Sequence, residues 1–130
     1  NKETNRKYSD SRLSQRALRE IYLKAFEIIL REEQPWAIMS SYNVVNGRRA
    51  SESRELLTTI LREEWGYTGL VMSDWWTRGE HYKELLAGND LKMANGYPER
   101  VEEAMRLGAV SRSGLETCAR RVLELILKID

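Results

Sequence analysis

The chain has 130 residues, 42% of them hydrophobic and 32% charged, which excludes a disordered polypeptide and suits one ordinary domain with a sizeable core. Its 21 Lys and Arg against 20 Asp and Glu leave a formal charge of +1, so no bulk attraction to nucleic acid or to an anionic membrane is expected. One cysteine, Cys118, excludes an internal disulfide, and together with one histidine it leaves too few soft ligands for a zinc-type site; a carboxylate-bound hard metal stays open, although no loop has the calcium-binding spacing, and no cofactor is expected.

The polar start Asn1-Lys2-Glu3-Thr4 resembles neither a signal peptide nor a transit sequence. With the sparse cysteine it suggests a bacterial, cytoplasmic setting. From Ser14 to Gln34 the residues Ala17, Leu18, Ile21, Ala25, Ile28 and Ile29 recur at steps of three and four, which predicts a helix with one apolar face. Pro35 stops it, because the residue before a proline is pushed out of helical space. Trp36 to Tyr42 is mostly apolar without alternation, as expected of a strand covered on both faces in a parallel sheet, and it leads into Ser41-Tyr42-Asn43. Asn46-Gly47 marks a turn. Ser51 is the expected N-cap of a second amphipathic helix, which carries Leu56, Leu57, Ile60, Leu61 and Trp65 and ends at Gly66.

Gly69 opens a short apolar run from Leu70 to Asp74 that stops at a carboxylate followed by Trp75. The run predicts a buried strand delivering an acid to a site, since functional side chains of α/β barrels sit at the C-terminal ends of strands. By itself a Ser-Asp pair after a strand also suits a turn or a helix cap. Thr77 with Glu80 makes a capping-box pattern for a short helix closed by Gly88. Asn89 to Met93 is a short strand candidate, and a loop through Gly96-Tyr97-Pro98 leads to a helix from Pro98 to Leu107, with proline in the favoured first turn. A last helix runs from Arg112 to Lys128, with Cys118 as a packed, inert thiol.

Strands separated by helices, with no hairpin signal joining them, predict right-handed crossovers and a parallel sheet. Three strands leave exposed edges and cannot fill a closed barrel. The expected fold is therefore part of a larger α/β domain, completed by other chain segments or by homo-oligomerisation.

Three polar clusters fall where site residues would be needed: Glu3 to Arg6, Ser41-Tyr42-Asn43 and Ser73-Asp74-Trp75. These segments, with Ser14 to Leu23, Val44-Val45-Asn46-Gly47, Leu61 to Gly69 and Ala87-Gly88-Asn89-Asp90-Leu91, resemble glycoside hydrolase family 3, the β-glucosidase family. The resemblance spans essentially the whole chain. It implies that residues 1–130 form the later part of that family's (β/α)8 TIM-type barrel, comprising its last few βα units. It also implies a retaining double displacement at the non-reducing end of β-glucosides, with Asp74 as nucleophile. Arg6 would then contact the sugar, Tyr42 would lie beside the nucleophile, and Trp75 would form part of the sugar-binding wall. Glu3 and Asn5 flank the arginine without an implied catalytic role.

Other polar and aromatic residues are read mainly as structural: Trp76 in packing or in a neighbouring subsite, His81 on the surface, Asp90 in loop support with a sugar contact as the lesser alternative, and Glu52, Glu63, Glu64 and Glu80 as helix-surface charges. Two departures from the family pattern stand out. No glutamate here aligns with the general acid/base, which the family usually supplies from a separate domain, and Ala94 replaces a common proline. The alternative reading is a non-catalytic barrel piece that self-associates or binds sugar weakly.

Overall fold

The computed structural model describes residues 3–130; Asn1 and Lys2 lie outside the described residues. After strand β1 (Asp10–Ser11), the Ser14 hydroxyl accepts the Ala17 N–H at 3.1 Å, satisfying one donor at the start of the first helical stretch. That stretch consists of α1 (Gln15–Ala17), a π-helix (Leu18–Tyr22) and α2 (Lys24–Glu33). It ends before Pro35, with Gln34 in the left-handed region at φ 45°.

β2 (Ala37–Ser40) is followed by β3 (Val44–Val45) and β4 (Arg48–Arg49). β3 and β4 form an antiparallel hairpin across Asn46-Gly47, both at positive φ as a two-residue primed turn requires. This hairpin corrects the expectation that none is present. β1 pairs parallel to β3, giving a small three-stranded sheet. Ser51 lies in a 3-10 turn (Ala50–Glu52), not at a helix cap; the Ser53 hydroxyl instead accepts the Leu56 N–H at 3.3 Å, near the start of a π-helix (Glu55–Glu64).

β5 (Leu70–Ser73) pairs with β2 in parallel and in register, from Ala37 opposite Leu70 to Ser40 opposite Ser73. On its other edge, the expected third strand is reduced to a single parallel bridge between Met72 and Leu91. The chain finishes with α3 (His81–Ala87), α4 (Pro98–Arg106) and α5 (Arg112–Ile129). Glu80, without a side-chain bond to the helix, is the N-cap of α3, and the Thr77 hydroxyl faces Ser51 instead, so the expected capping box does not form.

The core gathers Leu30, Leu57, Leu61, Tyr67, Val71 and Ala87, with Ile38, Leu56 and Trp65 against it. Burying these side chains supplies about 1.5–3 kcal/mol for each large aliphatic one. β2 is not covered on both faces, because Met39 is 53% exposed. Of the predicted apolar face of the first helix, Leu18 is buried while Ile21, Ile28 and Ile29 are exposed. Leu123, Leu127 and Ile129 of α5 are exposed as well.

Candidate active site

Because β2 and β5 run parallel and in register, their C-terminal ends deliver neighbouring residues to one edge. The Asp74 N–H donates to the Ser40 carbonyl at 3.0 Å, extending the pairing by one residue and fixing the acid at the strand end. Its Oδ1 accepts the Trp75 N–H at 2.7 Å. Ser73 behind it is wholly buried, and its hydroxyl accepts the Met93 N–H at 2.8 Å, tying β5 to the segment after Leu91.

Tyr42, just beyond β2, is buried, and its hydroxyl donates to the Trp75 carbonyl. Burial pushes the Tyr42 phenol pKa up, and the nearby Asp74 charge and hydrogen bond add to the rise while Arg6 opposes it. The phenol is therefore a neutral donor at physiological pH. The Arg6 guanidinium lies 5.0 Å from the centre of the Tyr42 ring, and the Lys7 ammonium lies at the same distance. A turn built on Asn5, at φ 56°, sets this approach, and Glu3 holds the Arg6 Nη1 at 2.9 Å. Arg6, Lys7, Tyr42, Asp74 and Trp75 thus form one contiguous set, combining a carboxylate, a neutral hydroxyl donor, two cations and an aromatic face.

Trp75 and Trp76 stand with ring centres 5.6 Å apart and planes tilted by 59°. Trp76 is 65% exposed, so it does not pack into the core, the first of the two roles expected of it. His81 is half-buried, not on the surface; its Nδ1 accepts the Tyr97 N–H at 3.0 Å. Burial and the neighbouring Lys92 charge pull its pKa down, which favours the neutral, accepting ring. Glu52 is more than a surface charge, since its Oε1 accepts the Glu80 N–H at 2.7 Å.

Asp90 has a structural place. Its wholly buried carboxylate takes Arg62 at 2.7 Å, Arg121 at 2.8 Å and the Val71 N–H at 2.9 Å. Beside it, burial foremost and also Asp90 push the Cys118 thiol up to about 11. Sequence reasoning missed Lys92 and Glu84, which form a buried ion pair at 2.7 Å. Glu84 shares a face of α3 with the buried Ala87 three residues on, and that spacing was the available signal. Among the described residues, no three of His, Cys, Asp or Glu are grouped to hold a metal ion, and no helix is long and apolar enough to cross a membrane.

Comparison with known proteins gives this arrangement a family. β-Glucosidase A of Butyrivibrio fibrisolvens is 63% identical over 116 residues, covering 89% of this chain and 14% of that protein. An exo-α-(1→6)-L-arabinopyranosidase of Bifidobacterium longum is 43% identical, covering 98% of this chain and 17% of that protein. The crystal structure of a Bifidobacterium adolescentis GH3 β-glucosidase superposes with a TM-score of 0.94 at 43% identity, over 98% of this chain and 19% of that one. β-Glucosidase 3B from Thermotoga neapolitana, in complex with glucose, gives a TM-score of 0.88 at 41% identity. The chain thus spans only 14% to 19% of the length of these relatives. The profile described as the glycosyl hydrolase family 3 N-terminal domain matches residues 2–125, and on that match the chain belongs to glycoside hydrolase family 3.

Proposed function

We propose that this chain is the nucleophile-bearing part of a (β/α) barrel in a retaining β-glucosidase, with Asp74 as the nucleophile. The observation that carries this reading is the position of Asp74, at the end of a parallel strand and beside the neutral Tyr42 phenol, whose ring the Arg6 guanidinium overlies. The partial-barrel reading is supported by parallel pairing on both edges of β5, by the open face at Met39, and by apolar residues on α2 and α5 that want cover.

In the first step, an Asp74 carboxylate oxygen attacks the anomeric carbon as the glycosidic bond breaks, and the leaving oxygen takes a proton from a second carboxylic acid about 5–5.5 Å away. That acid is supplied from outside the residues described. In the second step, water attacks the glycosyl-enzyme ester and gives its proton back to the same acid, releasing the sugar and the free Asp74 carboxylate. Negative charge beneath the ring stabilises the oxocarbenium-like transition state. The exposed face of Trp75 suits the C–H face of a pyranose.

Asp74→Asn in the intact protein is expected to abolish turnover of an aryl β-glucoside with the fold retained. Incubation of the unaltered protein with an activated 2-deoxy-2-fluoro-β-glucoside is expected to add one fluoroglucosyl group to the Val71–Trp75 peptide. Normal turnover by the Asn variant would refute the assignment. A second reading, a self-associating non-catalytic barrel piece, draws on the exposed apolar residues of α2 and α5. Light scattering that finds residues 1–130 to be a stable compact monomer would contradict this second reading.

A further inference from the structure

The residues after Asp74 carry the two exposed tryptophans, and the Trp75–Glu80 segment is fastened at almost every position. Tyr42 donates to the Trp75 carbonyl, the Trp76 N–H reaches the Met93 carbonyl at 3.2 Å, the Thr77 hydroxyl meets that of Ser51 at 3.3 Å, and Glu52 takes the Glu80 N–H. Trp76 sits at φ 54°, in the left-handed region that a bulky side chain adopts only when its surroundings force it. A segment held in that conformation needs a fastening from below.

Lys92 supplies it. Its ammonium is almost fully buried and reaches the Glu84 Oε2 at 2.7 Å, the Gly79 carbonyl at 2.9 Å and the Thr77 carbonyl at 3.4 Å. An ammonium has three donors, and all three are engaged. Glu84, wholly buried on α3, supplies the compensating charge. A Cβ at Gly79 would lie 2.1 Å from Glu84 Oε1, so only glycine lets the loop come this close to the pair. Apolar side chains of similar volume could match a buried ion pair for stability. They could not hold two loop carbonyls, and that is the distinctive task of this one.

We propose that Lys92, neutralised by Glu84, is a positioning residue for sugar binding: it clamps the Trp75–Glu80 loop from beneath and thereby fixes the wall formed by Trp75 and Trp76. The proposal rests on the glycosidase reading above. It acts on binding of the sugar, since Lys92 touches the loop and not the reacting carboxylate.

The test compares the intact protein with its Lys92→Met/Glu84→Met variant, which removes the clamp without leaving a lone buried charge. Three readouts are taken: thermal unfolding, tryptic cleavage after Arg78, whose side chain is exposed while Gly79 is buried, and the steady-state constants for p-nitrophenyl β-glucoside. The variant is expected to melt close to the parent, yet to be cut at Arg78 about tenfold faster, because cleavage tracks the population of the opened loop. KM is expected to rise about tenfold with kcat changed far less, the mark of lost binding shared by ground and transition states. Should the double variant fail to fold, Gly79→Ala displaces the same loop and is expected to raise KM likewise. An unchanged cleavage rate at Arg78 would overturn the clamp, and a loosened loop with unchanged KM would overturn its role in sugar binding. Absence of β-glucosidase activity in the unaltered protein would overturn the glycosidase reading and leave the cleavage result standing by itself.

Discussion

Replacing Asp90 by Asn is expected to be among the most destabilising conservative changes available in this chain. The Asp90 carboxylate is wholly buried and accepts from Arg62, Arg121 and the Val71 N–H, all within 2.9 Å. Burial pulls the Arg62 guanidinium pKa down, and the charge of Asp90 is the main influence raising it again. Asparagine keeps one acceptor oxygen but presents N–H donors where a guanidinium N–H already points, and the negative charge is gone. Removing one partner of a buried pair costs about 3–5 kcal/mol, because a charge is left without compensation. Arg121 is 20% exposed and recovers some hydration, which lowers the figure. The amide oxygen, set at the Oδ2 position, keeps the Val71 N–H and the Arg62 bond, so Arg121 alone loses its acceptor. A net loss of about 3 kcal/mol, the low end of that range, is expected, a large part of the roughly 5–15 kcal/mol that holds a domain folded. Urea unfolding of the intact protein, followed by tryptophan fluorescence, should show a lower midpoint with an unchanged slope. A midpoint shift equivalent to under about 1 kcal/mol, the value of an exposed ion pair, would refute the reasoning.

Tyr42→Phe removes the donor to the Trp75 carbonyl, a bond between neutral groups worth about 0.5–1.5 kcal/mol, so kcat/KM should fall about 2- to 10-fold; steady-state rates equal to the parent's would contradict this. Stability should fall in alkali, because burial holds the Cys118 thiol at about 11 and the Tyr67 phenol at about 12, so the folded state keeps protons that the unfolded chain releases. Their contribution is fully present below the unfolded pKa values and is lost as pH rises through roughly 9 to 12. Melting curves across that range should show a shallower decline in a Cys118→Ala/Tyr67→Phe variant, measured relative to its own neutral-pH value.

The parts legible in the sequence were those governed by local chemistry. The apolar run ending at Asp74 is a strand because Leu70 and Val71 have a core to enter, and Pro35 ends a helix by steric exclusion wherever it occurs. The family resemblance singled out Arg6, Tyr42, Asp74 and Trp75, which the fold brings close together, whereas spacing alone left Arg6 and Tyr42 undecided among surface and core-edge roles. What escaped depended on partners distant in sequence. Thr77 and Glu80 have the residue types of a capping box, yet Ser51 and Glu52, more than 20 residues away, take the Thr77 hydroxyl and the Glu80 N–H. The third strand shrinks to one bridge because Asp90 turns its carboxylate back to the Val71 N–H. A lysine and a glutamate eight residues apart advertise solvent, and only the fold shows that they are buried together.

Asp90 and Lys92 are two residues apart and therefore project to the same side of an extended segment, yet they serve opposite ends of β5. Asp90 reaches back to Val71, near the strand's start, in company with Arg62, which also binds the Gly69 and Gly88 carbonyls. Lys92 reaches forward to the Thr77 and Gly79 carbonyls, beyond the strand's end. In parallel α/β architectures the N-terminal ends of strands carry stability and the C-terminal ends carry the site. The two residues divide along the same line: the first pins the strand on which Asp74 stands, and the second pins the loop that Asp74 begins. Perturbing Asp90 should therefore lower the unfolding midpoint while KM of the folded fraction holds, whereas removing the Lys92–Glu84 pair together should raise KM at nearly constant stability. A single variant that moved both quantities in proportion would show that strand and loop behave as one cooperative unit, and the division of labour between the two ends would fail.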